Sequence, residues 1–129
     1  MQDRLKQLWT PPDHLGEHGR KFWTRTGRIL IAKGVLTPGD RESWTTMCVA
    51  YNRMTEAEIQ MQTEGMTVDG YRGEKKKHPC FAIWKISCDQ FTALSKEFGL
   101  TPASRSKIKI EDPPEKDNEK AKFFKLERR

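Results

Sequence analysis

The sequence of 129 residues has no stretch approaching the roughly 18 consecutive apolar residues that a membrane-spanning helix needs. That absence excludes a helix crossing a bilayer. Met1 to Thr10 carries charges and no apolar centre, so it lacks the pattern of a secretory signal peptide. Cysteine is scarce. Cys48, Cys80 and Cys88 are odd in number and sit in unrelated surroundings, which argues against a disulfide framework and for reduced thiols in a reducing compartment. No CxxC pair occurs, no GxxxxGK[ST] phosphate loop, and no GxSxG nucleophile turn. His14 and His18 lie four apart, a spacing that can bridge a metal on a helix, but only scattered Cys and His residues are left to complete such a site. We expect no metal, no cofactor and no enzyme activity.

What is present is charge. Charged residues make up 33% of the chain and hydrophobic ones 35%, enough for one modest domain with a small core and tails. A core of that size gains from neighbouring subunits. The net charge of +6 and the isoelectric point near 9.3 point to an anionic partner, nucleic acid first. Solubility alone would account for the same totals, so the positions of the charges decide.

Three helices are legible. Residues 1–14, polar and containing Pro11-Pro12, read as an N-terminal arm. A first helix spans about Leu15 to Lys33, with Gly34 as its cap, and places Leu15, His18, Phe22, Thr26 and Ile29 on one face beside Trp23 and Leu30. In "LTPGDRESW", Thr37 caps, Pro38 suits the first helical position, and Asp40 sits at the positive helix end. The second helix runs to about Glu64. Its Trp44, Met47, Tyr51, Met54, Glu58 and Met61 follow a 3-4-3-4-3 spacing, a heptad seam with one charged member. "GMTVDGYRGEKKKH" has no helical period, and Asp69-Gly70 between short β-prone flanks predicts a small hairpin or tight loop. Pro79 opens a third helix ending at Phe98, where Phe81, Trp84, Cys88, Phe91, Ser95 and Phe98 repeat the seam and Ile83 and Leu94 widen it. The predicted fold is mainly α: an N-terminal helix plus a long antiparallel helical hairpin with a short β-hairpin-like loop. We expect residues 15–110 to form this domain and residues 111–129 to be a disordered charged tail ending in the apolar cluster Phe123, Phe124 and Leu126.

The seams leave more apolar surface than the first helix can cover. That predicts a homo-oligomer formed through Trp44, Met47, Tyr51, Met54, Trp84 and Phe91. A compact three-helix monomer would use the same residues. For nucleic acid, Lys21, Arg25 and Arg28 form a stripe on the first helix, Lys75, Lys76 and Lys77 a cluster in the loop, and Arg105, Lys107 and Lys109 follow at the end, while the second helix is net acidic. Basic and aromatic residues are not interleaved as single-strand stacking requires. A third chemistry, Asp69 with Glu74-Lys75-Lys76 as a magnesium nuclease site, needs a strand scaffold for which this spacing is short.

Five stretches carry a family resemblance across most of the chain. They are "PPDHLGEHGRKFW" (Pro11 to Trp23), "GVLTPGDRESWTTMCVAY" (Gly34 to Tyr51), "EGMTV" with its following "GY" (Glu64 to Tyr71), the proline-led helix from Pro79, and "FGLTPASRSKI" (Phe98 to Ile108). With these the sequence resembles the small subunit of phage terminase, in the group found with long-tailed double-stranded DNA phages. His78 departs from the asparagine usual before that proline, a weaker helix cap. The resemblance implies a non-enzymatic protein that assembles into a ring and binds double-stranded viral DNA in the host cytoplasm. It also implies recruitment of the large terminase subunit, which carries the ATPase and nuclease. Docking of that subunit falls to Phe123, Phe124 and Leu126, which can instead pack on a neighbouring subunit. The alternative from the residues is a stand-alone helical DNA-binding regulator using the first helix in a groove, but the second helix is long for a helix-turn-helix.

Overall fold

A computed structural model describes residues 3–106. The elements in chain order are α1 (Glu17–Ala32), a 3-10 turn (Pro38–Asp40), α2 (Arg41–Glu64), β1 (Thr67–Asp69), β2 (Lys75–Lys77), α3 (Cys80–Glu97) and α4 (Pro102–Arg105). The mainly helical prediction holds. The tail residues 111–129, with Phe123, Phe124 and Leu126, and the basic Lys107 and Lys109 lie outside the described residues.

The helix ends follow from their chemistry. Gly34 and Gly99 both have φ of +69°, in the left-handed region that β-carbon-bearing residues avoid, and they stop α1 and α3. Ahead of α2, the Thr37 backbone N–H donates to Asp40 Oδ2 at 2.8 Å, closing the box that Pro38 pre-shapes. Thr101 and Ser104 close the same kind of box around α4, with Ser104 N–H donating to Thr101 Oγ1 at 3.2 Å. Leu100 packs against the core, and its N–H donates to the Ser95 carbonyl at 2.9 Å.

α2 and α3 form the expected antiparallel hairpin. Trp44 meets Phe98 (ring centroids 5.7 Å), Tyr51 meets Phe91 (5.6 Å), Cys88 Sγ lies 3.7 Å from Met54 Sδ, and Glu64 reaches His78. The steps between these partners, seven, three and ten residues, are the same on both helices, so the register is constant over the whole length. At 1.5 Å per residue the 24 residues of α2 span about 36 Å.

α1 covers only the half of this hairpin nearest Trp44. Its inward face differs from the predicted one. Gly19, Phe22, Trp23, Thr26, Gly27 and Leu30 are buried, whereas Ile29 is 48% exposed. The two glycines turn the helix inward because they allow close approach. A β-carbon on Gly19 would come within 3.0 Å of the Cys48 carbonyl, and one on Gly27 would strike Leu8. The cap of α1 comes from another helix. Gly16 has no side chain to offer, and Asn52 of α2, buried, accepts from the Gly19 N–H at 2.9 Å.

Residues 1–14 are not a free arm over their described part. Leu5, Leu8 and Trp9 pack on the core, and Leu5 N–H donates to the Leu36 carbonyl at 2.8 Å. Trp23 Nε1 donates to the Trp9 carbonyl at 2.8 Å, and Arg20 ties the turn before α1 by donating to the Leu15 and Pro12 carbonyls. All three cysteines are free, and burial pushes the Cys48 thiol well above its ordinary range, so it acts as a packing residue.

The predicted interface residues are largely spent inside one chain. Trp44 and Met47 have no exposed surface, Tyr51 stacks on Phe22 at 4.4 Å, and Phe91 meets Phe22 edge-on at 5.5 Å. Trp44 and Met47 are thus fully enclosed within one chain. Met54 and Trp84 are half-buried.

Asn52 makes one sharp test of this packing. Replacing it with alanine removes the cap of α1 and leaves the Gly19 N–H without an acceptor. Urea denaturation of Asn52→Ala should show a loss of about 1–2 kcal/mol. An unchanged midpoint would mean that α1 is not capped from α2.

Candidate nucleic-acid interface

α1 presents Lys21, Arg25 and Arg28 to solvent on one side. The stripe follows from helical geometry, since residues three and four apart stack on one face. Its ends are seven residues apart, a rise of about 10.5 Å. Lys21 pairs with Glu17 at 3.2 Å, a solvent-exposed contact of little energetic weight. Arg25 and Arg28 have no acidic partner among the described residues. Their long stems and Arg20, Thr24 and Ile29 form a shallow open surface.

Two features of this surface escaped the sequence. Lys6, from the docked arm, lines a groove together with Trp9, Ile31 and Arg28, so the basic area extends beyond α1. Arg20, one residue from Lys21, turns its guanidinium to backbone carbonyls and is structural. Arm and helix become neighbours only because Trp9 docks on Trp23, a contact 14 residues apart that no periodicity announces.

The loop lysines are placed differently. β1 and β2 pair antiparallel with Thr67 opposite Lys77, Val68 opposite Lys76 and Asp69 opposite Lys75. The hairpin is present as expected, but its second strand is the lysine run rather than Tyr71-Arg72, which form the connecting loop. Lys75 binds Asp69 at 2.7 Å, Lys76 binds Glu74 at 3.5 Å, and Lys77 sits 5.3 Å from the centre of the Phe81 ring. Two of the three charges are thus offset locally. Asp69 and Glu74, the carboxylates of the nuclease alternative, face lysines, and among the described residues no group of three His, Cys, Asp or Glu is placed to hold a metal.

The hairpin sits at the far end of α2, twelve residues or about 18 Å beyond Asn52, so the fold does not merge it with the α1 stripe. It is fastened there by His78. Nδ1 accepts from the Cys80 N–H at 2.9 Å, and Nε2 lies 3.3 Å from Glu64 Oε2. With Nδ1 accepting, the ring proton belongs on Nε2, where it donates to the carboxylate. Hydrogen bonds from Gln60 and then His78 hold the Glu64 carboxyl below its ordinary value. His78 therefore supplies the cap that the sequence comparison with asparagine had put in doubt. Arg105 is exposed on α4, away from any ion pair among the described residues.

Taken by its geometry, the chain is a helical-hairpin protein with a basic helix surface. No helix among the described residues is long and apolar enough to cross a membrane. The sequence model of the family described as "Phage terminase, small subunit" matches residues 19–115, three quarters of the chain. The chain belongs to that family. No curated protein and no solved structure matches it.

Glu74 links the hairpin to pH. Its own backbone N–H, then that of Arg72 and the Lys76 ammonium, hold its carboxyl below the ordinary value of 4.5. A depressed carboxylate contributes order above the ordinary value and loses it as pH falls through the folded one. The Arg72 amide resonance should shift in an NMR titration with a midpoint below 4.5, and Glu74→Gln should abolish the transition. A midpoint at or above 4.5 would contradict the arrangement.

Proposed function

We propose that this chain recognises double-stranded viral DNA for packaging, works as a ring of identical subunits, and recruits the large terminase subunit that carries the ATPase and nuclease. The observation that carries the DNA reading is the pair Arg25 and Arg28, exposed and without acidic partners, beside Lys6 and Lys21. Membership of the small-subunit family supports the packaging role. Phosphates are the natural ligand of such a surface, because each neutralised phosphate releases counterions and adds affinity regardless of sequence. Lys75, Lys76 and Lys77 contribute less, since two of them already have carboxylates; Arg105 adds a further exposed cation.

Ring assembly rests on the outer helix faces rather than on the seam. Ile59, Ile83 and Ile86 are 45%, 48% and 59% exposed on the part of the hairpin that α1 leaves uncovered. Met54 and Trp84, half-buried nearby, would close further on contact with another copy. Phe123, Phe124 and Leu126 beyond their charged linker serve in this reading as the docking segment for the large subunit. Removing residues 111–129 should then abolish stimulation of that subunit.

Charge reversal tests the DNA reading. Arg25→Glu together with Arg28→Glu should weaken duplex binding about tenfold or more for many sequences alike. The slope of log affinity against log salt should fall by about two. Fluorescence anisotropy at matched salt measures both. Affinity equal to wild type would reduce the stripe to a solvated helix face and remove the basis for this function.

A further inference from the structure

The hairpin tip holds an exposed aromatic in a fixed frame. Tyr71 is 100% exposed, and Met66 at the hairpin base is 74% exposed. Yet the loop carrying Tyr71 and Arg72 is closed by three hydrogen bonds. Gly70 N–H donates to the Glu74 carbonyl at 2.6 Å, Gly73 N–H to the Gly70 carbonyl at 3.0 Å, and Arg72 N–H to Glu74 Oε2 at 2.9 Å. Gly73 completes the turn at φ +82°, where a side chain would be strained. Ordering a loop costs conformational entropy, and here no burial of Tyr71 offsets it within the chain.

Charge at the tip is sorted as well. Asp69 and Glu74 are held by Lys75 and Lys76, which leaves Arg72 as the hairpin guanidinium without a carboxylate among the described residues. The His78 N–H closes the base by donating to the Met66 carbonyl at 3.1 Å, and the His78 ring ties it to both long helices, accepting from the Cys80 N–H of α3 at 2.9 Å and meeting Glu64 of α2 at 3.3 Å. A rigid two-stranded antiparallel ribbon ending in arginine and tyrosine has the dimensions that the DNA major groove, about 12 Å wide, accepts.

We propose that the hairpin enters the major groove of duplex DNA tip first, with Arg72 reading a guanine edge and Tyr71 packing against the groove wall. This rests on the duplex-binding function proposed above and assigns the sequence discrimination within it. The α1 stripe supplies affinity through phosphates, and the tip supplies choice of site. The tip lies beyond the roughly 18 Å of α2 that follow Asn52, and the stripe lies on the other side of Gly19, so a duplex meeting both must run along the helical hairpin over more than that length. Arg72 and Tyr71 were absent from the residues predicted from sequence, which favoured the neighbouring lysines.

The test uses the full chain. Wild-type protein is put through selection on a randomised duplex pool. Anisotropy at fixed salt then compares the enriched duplex with a scrambled one, for wild type, Arg72→Ala, Arg72→Lys and Tyr71→Ala, with helicity checked by circular dichroism. Wild type should enrich a motif containing guanine. Arg72→Ala and Arg72→Lys should both lose about tenfold or more on that motif, because lysine keeps the charge but not the bidentate fork. On the scrambled duplex they should change less than about twofold. Tyr71→Ala should weaken the motif in the same selective way.

Selection that enriches no motif overturns the proposal. So does rescue by Arg72→Lys, which would make residue 72 a phosphate contact, and so do variants that bind both duplexes as wild type does. Variants that keep all DNA binding but lose stimulation of the large subunit would make the tip a protein-docking element instead. Failure of the underlying function is distinct: wild-type protein would then hold neither duplex at low salt.

Discussion

Everything in this subunit depends on the burial of Trp44. Its ring has no exposed surface and lies 5.8 Å from Phe22, 5.8 Å from Trp23 and 5.7 Å from Phe98, so one side chain joins α1, α2 and the end of α3. Aromatic pairs in such geometries contribute about 0.5–1.5 kcal/mol each beyond the area they bury. The indole N–H has no hydrogen-bond partner among the described residues, a cost of roughly 1–3 kcal/mol that this packing offsets. Trp23 in turn holds Trp9, and Trp9 brings the arm and Lys6 to the basic stripe. The extended basic surface is therefore a consequence of the aromatic core.

Beyond Tyr51 the packing thins. Along that half of the helical hairpin the buried residues are Asn52, Ala57, Met61 and Ser87, with His78 at the end, so Met61 is the one large apolar side chain buried there among the described residues. Closure there falls to polar geometry, with His78 capping α3 and gripping Glu64 while the β-hairpin seals the end. The thick half builds a platform for α1, and the thin half exposes Ile59, Ile83 and Ile86.

Much of this was legible beforehand, for identifiable reasons. Gly34, Gly65 and Gly99 announce helix ends because positive φ is cheap only for glycine, and the equal 3-4 spacings of α2 and α3 announce their pairing. The seam does not say what fills it. Phe22 and Trp23 from the same chain pack on Trp44, and no periodicity announces that. Gly19 and Gly27 look like weak points of a helix in a sequence, yet they set the inward face because Cys48 and Leu8 come close to them. Lys75–Lys77 has low strand propensity, and its pairing with Thr67–Asp69 is a nonlocal fact. For the same reason the sequence pointed to the lysines and overlooked the arginine that their salt bridges leave free.

In the proposed assembly the core is complete within one chain and the outer hairpin faces are covered by another copy. Light scattering of the full chain at tens of micromolar tests that claim most directly. A single closed species of several times the 15.0 kDa chain mass is the predicted result. A stable monomer at 15.0 kDa, or a dimer that does not grow with concentration, would contradict it.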